Sequence, residues 1–161
     1  MAPITLEQVR AILDGALTKA KELGIGPMAI AVLDAGGNMA GYLREDGAPF
    51  IRFEIARGKA WAVAARGAGG QRLAEQAQRN PVLVQSLQAV TDHYFPVQGG
   101  VLVRNRDGVI AGAVGATGAT SEQDETCAIA GIRGGGPHRR GVRPKELKPG
   151  RLTRRLLSYR A

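Results

Sequence analysis

The sequence predicts one α+β domain, an antiparallel sheet built from two hairpins with helices packed on it, followed by a basic tail. Three observations carry this. Apolar residues recur at three- and four-residue spacing near the start and again after Pro49. Two pairs of short apolar runs are each joined by a turn rich in Asp and Gly. The resulting order of helix, hairpin, helices, hairpin, helix suits an antiparallel sheet better than the strict strand and helix alternation of a doubly wound parallel one.

Each element has its own signal. Thr5 with Gln8 reads as a capping box, and Leu6, Val9, Leu13, Ala16, Leu17 and Ala20 mark one face of a helix that Gly24 stops. Met28 to Leu33 and Met39 to Leu43 flank Asp34-Ala35-Gly36-Gly37, a hairpin signal. Phe50, Phe53, Ala56, Ala60, Val63 and Ala64 fall on one helical face, broken at Gly67. Leu73 to Gln78 and Val82 to Val90 read as shorter helices separated by Asn80-Pro81. Val101 to Val103 and Val109 to Val114 flank Asn105-Arg106-Asp107-Gly108 as a second hairpin. Ser121 is placed to cap a last helix whose first turn holds Glu122, Asp124 and Glu125.

The 161 residues suffice for one core, and no apolar run is long enough to span a membrane. The start of the chain carries no basic patch and apolar signal core, so a cytoplasmic address is expected. The net charge of +8 would suggest nucleic acid, but it is unevenly placed. Residues 1–132 hold 12 Lys and Arg against 13 Asp and Glu, whereas residues 133–161 hold 10 against 1. This divides the chain into a nearly neutral domain, 1–132, and an Arg/Gly/Pro-rich tail, 133–161. Within the tail only Leu152 to Tyr159 has the pattern of a short helix. Its composition suits a lineage-specific extension and equally a GC-rich gene read out of frame. The tail's cations suit acidic surfaces or non-specific contact with nucleic acid, since Tyr159 is its one aromatic residue.

Asp34-x-x-Gly37, Arg44-Glu45-Asp46-Gly47-Ala48, Lys59-Ala60, Gly99-Gly100-Val101, Gly112-Ala113-Val114-Gly115-Ala116-Thr117-Gly118, Gln123-Asp124-Glu125 and Ala128-x-x-Gly131 occur in that order over residues 4–132. Together they resemble the GlcG/HbpS-like family. The resemblance implies an α–β sandwich that assembles into dimers or higher homo-oligomers around a small-molecule ligand, with haem or a related tetrapyrrole first among ligands. Members occur as a haem-binding protein in redox sensing, as a companion domain of a corrinoid adenosyltransferase and as a glycolate-operon protein. A second reading is a cofactor-free lyase or isomerase that moves a proton on a small carboxylic or hydroxy acid.

Candidate site residues follow. Asp124 and Glu125 stand at a helix start beside a glycine-rich strand end, where they serve either as acid and base or as charges complementing the helix dipole. Arg44 and Lys59 suit anionic ligand groups, bidentate and point-like respectively, and suit ion pairs equally well. Gly115, with Gly112 and Gly118, permits close approach by a flat ligand or by packed backbone. The spacing of these glycines is not that of a dinucleotide fingerprint. Thr117 and Thr120 either contact a ligand or cap the last helix, and Gln123 is a further ligand-binding candidate. For haem, His93, beside Tyr94 and Phe95, is a better axial candidate than His138 in the tail, and suits a solvent-facing or core position as well; no Cys-x-x-Cys-His attachment sequence is present. Cys127 reads as a small core residue or, through the helix dipole, a thiolate. No His and carboxylate spacing resembles a metal site.

Overall fold

The computed structural model describes residues 3–135; the expectations for His138, for Leu152 to Tyr159 and for the basic tail lie outside them. Five helices and four strands follow in the order α1 (Leu6–Glu22), β1 (Ala29–Asp34), β2 (Met39–Arg44), α2 (Arg52–Arg66), α3 (Gly70–Arg79), α4 (Pro81–Val90), β3 (Gly100–Arg104), β4 (Ile110–Thr117) and α5 (Ser121–Gly135). The fold is the expected α+β one. Both predicted hairpins form, and β1 pairs with β4 to join them into one antiparallel sheet of order β2-β1-β4-β3.

β1 is apolar at nearly every position because it is central and covered on both faces. Ile30 and Val32 pack with Val9, Ile12, Leu13 and Ala16 of α1 and with Cys127 and Ala128 of α5. Leu33, with Ala113 of β4, packs on the other face against Ala60 and Val63 of α2, Leu73 of α3 and Tyr94. The result is a sandwich with α1 and α5 on one side of the sheet and α2 to α4 on the other. Thr5 and Gln8 form the expected capping box.

Three departures have physical causes. β4 runs through its glycines to Thr117, beyond the expected Val114, because β1 and β3 pair with it on both sides. Gly115 is required there by α2: a Cβ on it would stand 2.0 Å from the Ala56 carbonyl oxygen. The cap of α5 is Thr120 rather than Ser121, with Oγ1 accepting from the Gln123 N–H at 3.3 Å and Gln123 Oε1 accepting from the Thr120 N–H at 3.2 Å. Phe50 precedes α2 and points outward, 83% exposed, while Ala56, Ala60 and Val63 occupy the buried face. Among the described residues no helix is long and apolar enough to cross a membrane.

Candidate functional site

Lys59 and Asp124 meet. Lys59, on α2, and Asp124, in the first turn of α5, are 3% and 2% exposed, and Nζ stands 2.8 Å from Oδ2. Neither charge is left with a single contact. Lys59 Nζ also donates to the Ala116 carbonyl at 3.1 Å, and Asp124 Oδ1 accepts from the Ala119 N–H at 3.0 Å. The pair therefore grips the corner between β4 and α5 from both sides. Gly99, at φ +114°, lies against it, where a Cβ would come 2.8 Å from Lys59 Nζ. Above the same corner Arg52 donates to Thr117 Oγ1 at 2.8 Å, an arginine that the sequence alone did not single out.

The other candidates lie apart from this pair. Glu125 accepts from Gln98 Nε2 at 2.7 Å, and Gln123 belongs to the α5 cap. Arg44, exposed at the end of β2, borders an open hollow of about 660 Å³ with Lys21, Gly24, Glu45 and Asp46. Glu45 is held there by the Met28 N–H, at 2.7 Å. Arg44 also lowers the pKa of neighbouring Tyr42, but less than desolvation raises it. Cys127 is fully buried, and that burial, with the Asp124 charge adding to it and Lys19 opposing, pushes its thiol up to about 11. A protonated thiol at neutral pH is a packing group rather than a nucleophile or ligand. Among the described residues no group of three His, Cys, Asp or Glu side chains is arranged to hold a metal ion.

His93 lies on the α2 side of the sheet, in the connection between α4 and β3. Its position follows from its neighbours in sequence. Tyr94 buries its ring in the core on that side, its carbonyl accepts from Gln88 Nε2 of α4 at 3.4 Å, and Thr91 Oγ1 accepts from the His93 N–H at 3.2 Å. Gly58 lets the segment lie directly on α2, since a Cβ there would stand 2.7 Å from Phe95 Cβ. The imidazole is one-third exposed, 5.9 Å edge-on from the Trp61 ring, with Nδ1 at 2.7 Å from Asp92 Oδ1. Arg57 Nη2 contacts both ring nitrogens, Nε2 at 2.6 Å. These groups edge a cleft of about 300 Å³ whose walls include Ile51, Ile55, Tyr94 and Phe95.

Arg57 and Trp61 had no mark in the sequence. They sit four apart on the helical face beside the buried one, and only the return of the chain 36 residues later brings His93 to Arg57. The structure thus holds two separate assemblies: a buried Lys59–Asp124 tie, and an open cleft that combines an imidazole, a guanidinium and apolar walls.

The chain as a whole has relatives. Residues 4–133 match a family model described as haem degrading protein HbpS-like. An uncharacterised 15.0 kDa protein from the dhaT-dhaS intergenic region of Citrobacter freundii is 30% identical over 128 residues, covering 80% of this chain and 89% of that protein. Among solved structures, a double mutant of Streptomyces reticuli HbpS is 27% identical with a TM-score of 0.73, covering 83% of this chain and 87% of the other. The haem complex of PduOC is similar in fold, with a TM-score of 0.74 at 23% identity over 83% of this chain and 95% of that one. With the family model spanning nearly all of the described residues, the chain belongs to the HbpS-like family.

Proposed function

We propose that this protein binds haem or a related tetrapyrrole, with His93 as the axial ligand. The observation that carries the reading is the one-third-exposed imidazole at the edge of an apolar-walled cleft, in a chain whose family description and one of whose structural relatives both name haem. The residues present fit such a ligand. Asp92 beside Nδ1 is the kind of partner that would fix a ligating imidazole and raise its basicity. Ile51 and Phe95 offer apolar surface to the macrocycle. Arg57 contacts both ring nitrogens and would have to leave the imidazole for it to ligate; a propionate would repay the guanidinium with a charge-assisted pair in exchange for its long contact to Glu54, 3.6 Å. Bound haem would supply redox and gas-ligand chemistry at its iron.

The lyase or isomerase reading needs Arg44, Lys59, Asp124 and Glu125 around one cavity. Lys59 and Asp124 neutralise each other in the core and Arg44 borders a different hollow, so nothing in their arrangement favours it.

Titration of the purified protein with hemin is expected to give a saturable Soret shift. His93→Ala should weaken binding at least tenfold and alter the Soret position, while Arg57→Ala should weaken it without changing the ligand-field spectrum. A non-saturable titration rejects the reading. Saturable binding indifferent to His93→Ala rejects His93 as ligand.

A further inference from the structure

A third group of polar side chains gathers where the sheet meets the first turn of α2. The antiparallel register sets Arg44 of β2, Ala29 of β1 and Thr117 of β4 in one cross-strand row, with Tyr42, Ala31 and Gly115 forming the row two residues further in. Both rows face α2. Gly115 lies under Ala56, and the Phe53 ring meets the Tyr42 ring edge-on, centroids 5.0 Å apart. At a strand spacing of about 4.8 Å, the backbones of Arg44 and Thr117 stand roughly 10 Å apart across Ala29, a span that two arginine side chains can close from its ends. Arg52 reaches over this edge of the sheet to donate from Nη1 to Thr117 Oγ1 at 2.8 Å.

The group is made of donors. Among the described residues neither Arg44 nor Arg52 has an ion pair. The carboxylates nearest to them in sequence are turned elsewhere: Glu45 accepts from the Met28 N–H at 2.7 Å, Glu54 lies 3.6 Å from Arg57, and Asp46 stands in the exposed turn after β2. Arg52 uses one of its five N–H groups on Thr117 and keeps the rest. Tyr42 Oη is buried with no hydrogen-bond partner among the described residues, an unfavourable state for a hydroxyl until an acceptor is supplied. Burial also keeps it protonated, and Arg44 is close enough for its charge to act on it. Two guanidiniums and a phenol O–H, with no acceptor between them, have the chemistry of an oxyanion receptor.

We propose that Arg44, Arg52 and the Tyr42 hydroxyl hold the oxyanion end of a small molecule, a carboxylate or a phosphate. The guanidinium fork matches both groups. The rest of the molecule has room in the open hollow of about 660 Å³ that Arg44 borders. This site and the His93 cleft use different sides of α2, Arg52 here and Glu54, Ile55 and Gly58 there, so it stands without the haem reading.

A site-resolved titration tests it. The Nε–Hε resonances of Arg44 and Arg52 in the full chain are followed by heteronuclear NMR while sodium acetate or inorganic phosphate replaces chloride at constant ionic strength. Both resonances should shift together and saturate, and the ion that binds more tightly distinguishes a carboxylate ligand from a phosphorylated one. Arg44→Gln, at an exposed position, should weaken binding read at Arg52 by about tenfold or more. Tyr42→Phe should weaken it by about threefold or more and yet melt no lower than the wild type, because the deleted hydroxyl leaves no partner behind. Arg10→Gln, exposed on α1, should change neither. Shifts that fail to saturate with either ion overturn the proposal, as does an unchanged affinity in Arg44→Gln or in Tyr42→Phe. Equal weakening by Arg10→Gln overturns it too, reducing the effect to a general attraction between anions and a cationic surface.

Discussion

At the scale of single residues, the Lys59–Asp124 pair sets two opposite charges against each other inside the domain. Two opposite charges are withdrawn from water, and the cost is offset only because each has a second hydrogen bond to the backbone of the 116–119 corner. Removing one partner leaves the other charged and unpaired in the core. Lys59→Met is therefore expected to cost about 3–5 kcal/mol in urea unfolding followed by dichroism. The apolar double variant Lys59→Met with Asp124→Leu should cost clearly less than the two single changes together. A ligand-binding Lys59 would behave oppositely, losing affinity with stability nearly intact, so a loss below about 1 kcal/mol would return Lys59 to the binding candidates. The sequence placed a lysine and an aspartate in suitable elements, but they are 65 residues apart, and nothing local to either says that they meet. Cys127 teaches the same lesson from the other side. A helix start favours a thiolate by its dipole, and burial outweighs that.

At the scale of elements, legibility follows the range of the forces involved. The capping box of α1, the Asp and Gly turns of both hairpins and the start of α4 at Asn80-Pro81 depend on residues three or four apart, and each appears where the sequence puts it. The end of β4 and the outward placement of Phe50 depend on how distant parts of the chain pack, and there the sequence falls short. Gly115 is a position where the distant partner can be tested. Its row in β4 lies under α2, and the missing Cβ is what lets the Ala56 turn settle on the sheet. Gly115→Ala should push α2 outward and cost about 2–3 kcal/mol or more, because backbone yields less readily than a side chain. Since α2 carries both Lys59 and Arg57, the same variant should also loosen hemin binding if the cleft is the site. Native stability in Gly115→Ala would mean that α2 can lift from the sheet without penalty, against the packing described above.

At the scale of the whole molecule, charge is unevenly placed along the chain. Among the described residues both apolar clusters are drawn from the stretch between Ile4 and Ile132, nearly the same as the one that matches the family model. Residues 1–135 hold 13 Lys and Arg against 13 Asp and Glu, so the entire +8 of the chain arises from residues 136–161. Stability and polyanion affinity should therefore be separable by one cut. A protein ending at Gly135 is expected to unfold within about 2 °C of the full chain, because no member of either cluster is removed. It should also lose retention on a cation exchanger and on immobilised DNA at pH 7. The full chain should bind both and release them steeply with salt, as expected when several arginines displace counterions from phosphates. A truncated protein that melts well below the full chain would show that residues after Gly135 complete the core. One that keeps its salt-dependent retention would place the polyanion contact on the neutral domain, where local clustering of cations, rather than net charge, would have to produce it.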